Sequence, residues 1–329
     1  MSKSFDESII VFERLFSNDM SEDEARELLV KLYKDGESAA EIAAAAKVMR
    51  DHSIKLDISS DLKEKLIDNC GTGGDKSNSF NISTTVSLLL ASCGSYVAKH
   101  GNRSITSKSG SADMLEALGI NLNLKSQDQI KMLEDVGFAF LFAVNHHPAM
   151  KYIMPIRKSL DHRTIFNILG PLTNPAGVKK QLIGVFSDEY IHRISSALEL
   201  LDTKESMVVS SRDGMDEISI CDITYVTHLK DSKSSDIIID PTEFGFKIAQ
   251  KEQILGGGAK ENATITRGIL TGEITDAKRD VVILNTAAAL IVDGKARDMQ
   301  DGLEIAKDAL NSGKAKEQLA KIIEVSSKF

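Results

Sequence analysis

From residue 66 onward the chain alternates short apolar runs with helix-length segments, and this alternation restricts the fold more than any other feature. The runs at 66–68, 96–98, 138–143, 181–186 and 206–210 are strand-sized. The spans between them, at about 83–93, 111–118, 127–135, 148–160 and 189–201, carry helical spacing. Strands separated by whole helices are joined by crossovers, which makes the sheet mainly parallel and covers its faces. Residues 217–229 and 235–240 read as an antiparallel hairpin, and helix returns at 261–271, 279–293 and 299–311. No strand pattern precedes residue 66. There, Ser21 and Glu24 form a capping box ahead of an amphipathic run to about Lys34, Gly36 stops it, and 41–50 is an alanine-rich helix. The expected fold class is therefore α/β. A small all-helical domain (1–65, finished by about 158–180) accompanies a large domain (66–157 and 181–329) with a central, mainly parallel sheet flanked by helices.

Open parallel sheets gather their sites at the carboxyl ends of the strands. The loops at 71–75, 99–103, 144–148 and 211–217 fall there. The first holds Gly71, Thr72, Gly73, Gly74 and Asp75. Three glycines in four residues let backbone pass close to a ligand with its N–H groups turned inward. A helix is expected to start near Asn81, since Asn81, Ser83 and Thr84 are capping types ahead of the apolar run 86–90. A glycine-rich turn feeding a helix N-terminus is an anion site. Lys99, His100, Arg103 and Lys108 cluster in the next loop of a chain whose net charge is −8. Together these features describe a pocket for a phosphate-bearing small molecule, although neither a P-loop nor a dinucleotide fingerprint is present. The acidic balance argues against a general nucleic-acid surface. No apolar run approaches the ~20 residues that cross a bilayer. The N-terminus carries no signal pattern, so a cytoplasmic protein is expected. Cys70, Cys93 and Cys221 show no metal spacing and fit a reducing compartment. Cys70 reads as a small packing residue, not a nucleophile.

Three further stretches can carry chemistry. Adjacent His146 and His147 point apart, so one packs while the other can line a pocket. Arg157 follows ten residues after His147. Gly170 and Pro171, with a second proline at 175, make a stiff segment that serves equally as a pocket wall or a connector. Adjacent carboxylates such as Asp216 and Glu217 are ordinarily solvated surface charges, yet they are also what a hard divalent ion takes. The glycines at 256–258 have no basic neighbours within their loop and read as a structural turn.

The segments GTGGD, FNIST, AKHGNRS and SGSADMLEALG, followed in order by HHPAMK, IFNILGPLTNPA and GMDE, resemble the signature of the anthranilate phosphoribosyltransferases. The resemblance spans nearly the whole chain. Two departures stand out: Lys76 where the family usually has glycine, and Asp161 where glycine is common. The resemblance implies transfer of phosphoribosyl from 5-phosphoribosyl 1-pyrophosphate to the amine of anthranilate, the second step of tryptophan biosynthesis from chorismate. It implies that Gly71, Thr72, Gly73, Gly74, Asp75, Asn81, Ser83, Thr84, Lys99 and Ser111 bind the donor. Gly71, His100, Asn102, His147, Arg157, Gly170 and Pro171 would bind anthranilate, with Arg163 a lesser candidate. Ser83, Asp216 and Glu217 would hold Mg²⁺, two ions per subunit. No covalent nucleophile is implied. A homodimer formed through the helical domain is. Pyrimidine nucleoside phosphorylases share the architecture but carry Lys-His-Ser-Thr-Gly-Gly in the first loop, where this chain has Asn-Cys-Gly-Thr-Gly-Gly. A non-enzymatic nucleic-acid-binding relative would need a basic face.

Overall fold

The structure, a computed structural model, describes residues 3–104 and 108–329 and has the expected α/β architecture. The chain opens with helices α1 (Phe5–Phe16), α2 (Glu22–Asp35), α3 (Ala39–Asp51) and the single turn α4 (Ser60–Lys63). Ser4, Ser21 and Ser38 close capping boxes with Glu7, Glu24 and Glu41 at the first three, which fixes where each starts. Then follow β1 (Leu66–Gly71), α5 (Ile82–Ser92), β2 (Tyr96–Gly101), α6 (Ser111–Leu118), α7 (Ser126–Val136) and β3 (Phe138–Phe142). Short α8 (Ala143–His146), α9 (Met150–Lys158) and α10 (Phe166–Leu169) lead to β4 (Lys180–Gly184), α11 (Ile191–Leu200) and β5 (Glu205–Ser211). The hairpin β6 (Thr224–Lys230) and β7 (Lys233–Ile239) precedes α12 (Ala259–Thr271), α13 (Ala277–Asp293), α14 (Met299–Asn311) and α15 (Lys314–Ser326).

The seven strands run in the order β3-β2-β1-β4-β5-β6-β7, the first five parallel and the hairpin antiparallel. Register pairs Gly71 with Gly184 and Gly101 with Phe142, so the loops that follow β1, β2, β3 and β4 leave from one edge. One expectation fails in detail. Residues 217–223 are not strand, because the Asn285 amide takes the backbone of Ile218 at 2.9 and 2.7 Å and holds this segment on α13. After residue 311, Gly313 turns the chain with φ of 84° and α15 continues the helical layer, burying Ala315, Leu319 and Ile322.

Two hydrophobic cores share the sheet. One lies under α5 and α12–α15 and takes both faces of β1, β2 and β3. In the other, α1–α3 pack with residues of α9, α10 and α11 on Ile183, Val208 and Leu229 from the opposite face of β4–β6. Leu182, Met207 and Val209 face the first core, as strand alternation requires.

Candidate active site

A cleft of about 580 Å³ opens at the carboxyl edge of the sheet. The glycine loop forms its floor. Gly73 and Gly74 both have positive φ, 68° and 77°, which side chains rarely adopt. The loop is anchored by its neighbours. Thr72 N–H donates to Gly184 O at 2.9 Å, and Thr72 Oγ1 accepts from Phe186 N–H at 3.2 Å. Gly73 N–H donates to Asp216 Oδ2 at 2.6 Å. Asp75 Oδ1 accepts from Ser77 N–H, while its buried Oδ2 has no donor among the described residues and faces the Asp216 carboxyl.

Two helix N-termini face the same space, those of α5 and α6. Asn81 sits at the α5 cap position but does not cap it. Its side chain donates instead to Ser109 O at 3.2 Å and accepts from the Asn262 amide at 2.8 Å, tying two loops to the first turn of α12. The free Ser83 N–H donates to Glu217 Oε1 at 3.2 Å. Ser111 opens α6, and its Oγ accepts from Thr84 Oγ1 at 3.0 Å. Thr84 itself is fully buried and turned from the cleft.

The Asp216–Glu217 pair is not the solvated surface pair that its sequence suggests. Asp216 is only 8% exposed. Gly71 and Gly184 lie so close that a Cβ on either would collide with it, and this is what allows the acidic loop to settle onto the strands. Burial first, then the Asp75 charge, raises the Asp216 carboxyl from 3.8 to about 7. Burial and then Asp216 push Glu217 well above its ordinary value. Among the described residues no three carboxylate, imidazole or thiol side chains converge on one point. The donor set nevertheless fits a hard divalent ion. A buried and a half-buried carboxylate side by side are costly to ionise alone, an Asp75 oxygen with no donor among the described residues sits near them, and bound substrate oxygens can complete the shell.

The basic side chains divide. Lys99 is 1% exposed, lies at the cleft wall and donates to Asn69 O at 2.7 Å. Arg103 reaches the cleft mouth, but its guanidinium is held by Asp113 and Glu116 at 2.8 and 2.7 Å. His100 and His147 do not line the cleft. Their Nε2 atoms meet at 3.3 Å, and His100 Nδ1 lies 3.0 Å from Gly170 O. Burial, reinforced by each histidine's imidazole neighbours, lowers His100 to about 3 and His147 to about 4, so both are neutral. His146 bonds Ile54 O. Pro171 lies behind the wall, whereas Gly170, Asn102 and Arg157 face the space. Among the described residues no hydrogen bond or ion pair engages the part-buried Arg157 guanidinium, and burial alone lowers its affinity for the proton. Burial pushes the Cys70 thiol up to about 12, which leaves it protonated and non-nucleophilic.

Several lining residues escaped the sequence reading. Asn167, Phe166 and Asn262 join the cleft, and so do Gly256 and Gly257. The glycines serve there because Gly256 presses against Phe80 and Gly257 N–H donates to Asn262 Oδ1 at 2.8 Å. Their sequence neighbourhood carries no signal of this, since most of the cleft's walls come from distant parts of the chain. A second cavity, of about 720 Å³, lies between α11 and the β6–β7 hairpin and shares no lining residue with the cleft.

The model of the glycosyl transferase family α/β domain matches residues 63–316. The chain is 44% identical over 315 residues to an anthranilate phosphoribosyltransferase of Methanobrevibacter smithii, covering 96% of this chain and 92% of that one. The crystal structure of anthranilate phosphoribosyltransferase from Thermus thermophilus superposes with a TM-score of 0.93 at 37% identity, covering 99% of this chain and 97% of the other. The Saccharomyces cerevisiae enzyme in complex with PRPP and Mg matches with a TM-score of 0.87 at 29% identity, over 98% and 92% of the two chains.

Proposed function

The chain belongs to the glycosyl transferase family, among the anthranilate phosphoribosyltransferases, and from that membership we propose how its cleft divides the work. The reaction transfers phosphoribosyl from 5-phosphoribosyl 1-pyrophosphate to the anthranilate amine and releases pyrophosphate. The C1–O bond to pyrophosphate breaks as the C1–N bond forms, and the anomeric carbon passes through oxocarbenium character. The protein's task is to align the reactants and stabilise departing negative charge.

On this reading the donor lies along the loop Gly71–Thr72–Gly73–Gly74–Asp75, with its phosphates toward Asn81, Ser83, Lys99 and Ser111. Two helix N-termini and a lysine suit such a polyanion. Thr84 acts by orienting Ser111. Anthranilate lies between Gly170, Asn102 and Arg157, near the Gly71 end of the loop. His100, His147 and Pro171 support that wall from behind. The observation that carries this reading is the Arg157 guanidinium, part-buried at the cleft with no partner among the described residues, as an aromatic carboxylate requires.

The Saccharomyces cerevisiae relative was crystallised with PRPP and Mg. Here Asp216 and Glu217, with Ser83 beside them, are the residues that would hold Mg²⁺, two ions per subunit. An ion held there would supply charge stabilisation to the departing group without proton transfer. We also propose a homodimer built through the helical unit of residues 1–65 and about 158–180. Ile10, Tyr33 and Ile54, all at least 50% exposed, are apolar side chains that this unit leaves uncovered. Among the described residues no helix is long and apolar enough to cross a membrane. A cytoplasmic place in tryptophan biosynthesis accords with the reaction. Loss of anthranilate fluorescence on adding phosphoribosyl pyrophosphate with Mg²⁺, absent with either omitted, tests the assignment. Unchanged fluorescence would overturn it.

A further inference from the structure

We propose that Arg163 is a positioning residue for the phosphoribosyl donor, strapping the glycine loop to the second hydrophobic core. The proposal rests on the reading of residues 71–75 as the diphosphate cradle. Arg163 Nη2 donates to Gly74 O at 2.6 Å. Its guanidinium lies over the Phe186 ring, 3.5 Å from the centroid. Phe186 in turn meets the Tyr190 ring edge-on at 5.2 Å, and the Arg193 guanidinium sits 5.5 Å from the centroid of that tyrosine. The backbone of Arg163 is gripped as well. His162 Nδ1 lies 2.7 Å from Arg163 O, and the His162 ring stacks on Tyr33 of α2 at 4.1 Å. Two residues further on, Ile165 and Phe166 are buried in the core itself.

The strap matters because of what it holds. Gly73 and Gly74 are the two left-handed glycines of the loop, and glycine loses more freedom on ordering than any other residue. Asp216 fixes the amide at one end of this pair, and Arg163 fixes the carbonyl at the other. With both in place the loop is ordered before the donor arrives. Without Arg163 the donor must order the loop on binding. A guanidinium both bonded to a carbonyl and stacked on a ring acts here through its shape, not through charge offered to a ligand.

The test compares Arg163→Ala, Arg163→Lys and Phe186→Leu, with Gly73→Val as the control on the loop. Steady-state constants for both substrates are measured together with calorimetric donor affinity and thermal midpoint. Arg163→Ala is expected to raise the donor KM and Kd about tenfold or more, with anthranilate KM changed less than threefold and the midpoint nearly unmoved. Phe186→Leu should reproduce this in weaker form, and lysine should recover little, because it cannot stack and bond together. Recovery by lysine with a silent Phe186→Leu would make Arg163 a direct charge contact and overturn the strap. An anthranilate KM rising as much as the donor's would overturn it in favour of acceptor binding. Unchanged constants for Arg163→Ala would overturn it while leaving the loop assignment standing, provided Gly73→Val loses donor affinity. If Gly73→Val also binds donor normally, the loop assignment falls and the strap with it.

Discussion

The amide of Gly73 donates to the Asp216 carboxylate at 2.6 Å, joining two loops 143 residues apart in the chain. The same carboxyl is buried and raised from 3.8 to about 7. A carboxyl raised on folding contributes stability fully below its unfolded value and loses it as pH rises to the folded one, so the metal-free protein gives up stability between those values. The amount is on the order of a few kcal/mol. Asp216→Asn, whose amide oxygen still accepts from Gly73, should therefore stabilise the metal-free protein at about pH 8 by ~1 kcal/mol or more. Its melting temperature should no longer respond to Mg²⁺, and turnover should fall by orders of magnitude. A lower midpoint that still rises with Mg²⁺ would count against the metal role.

Arg157→Ala should weaken the acceptor. Losing a charged hydrogen bond costs roughly 1.5–3 kcal/mol, about one to two powers of ten in affinity. Anthranilate KM should rise by that factor, with the donor much less affected. Because the guanidinium has no partner among the described residues to leave behind, stability should stay within about 1 kcal/mol of wild type. Equal losses for both substrates would mean that Arg157 serves the cleft's shape, not the acceptor.

Gly184→Ala is a small change with a large expected effect. A Cβ there collides with the backbone carbonyl of Asp216, which cannot move without carrying Glu217 with it. The parallel pairing of β4 should survive, and far-ultraviolet circular dichroism should match wild type. The apparent Mg²⁺ requirement should rise at least about tenfold. A wild-type Mg²⁺ titration would show that the acidic loop tolerates displacement.

The His100–His147 pair makes a pH prediction of opposite sign to that of Asp216. Both imidazoles are depressed on folding, so their contribution is present above the unfolded value of 6.5 and is lost as pH falls toward about 4 and 3. His100→Asn can still donate to Gly170 O while lacking the titration. Urea midpoints measured from about pH 7 to about pH 5 should show the gap between wild type and variant narrowing on the acid side. Parallel curves would mean that the pair is hydrated and titrates normally.

Much of this molecule is legible from local pattern. The strand-helix alternation, the serine-glutamate capping box of α2 and the glycine loop all announce themselves within a few residues. What was hidden depends on partners far away. Nothing around Asp216 says that two glycines on β1 and β4 leave room for it to be buried. Asn81 has the chemistry of a helix cap, yet Asn262, 181 residues distant, competes for its side chain. Adjacent histidines at 146 and 147 do diverge, but the one turned inward finds His100 and not solvent. Glycines at 256–257 acquire their role only because Phe80 lies against them.

The strands β4 and β5 send alternate residues into two different cores, Leu182 and Met207 to one, Ile183 and Val208 to the other. A slip of one residue in either strand would exchange the two sets and spoil both interiors at once. Neither the helical side nor the sheet's other side can thus be completed alone. Cutting the chain between α4 and β1 would give two fragments that each expose half of a shared interface, soluble only when mixed. The intact chain should melt in one cooperative step, with the same midpoint whether a probe sits on α3 or on α13.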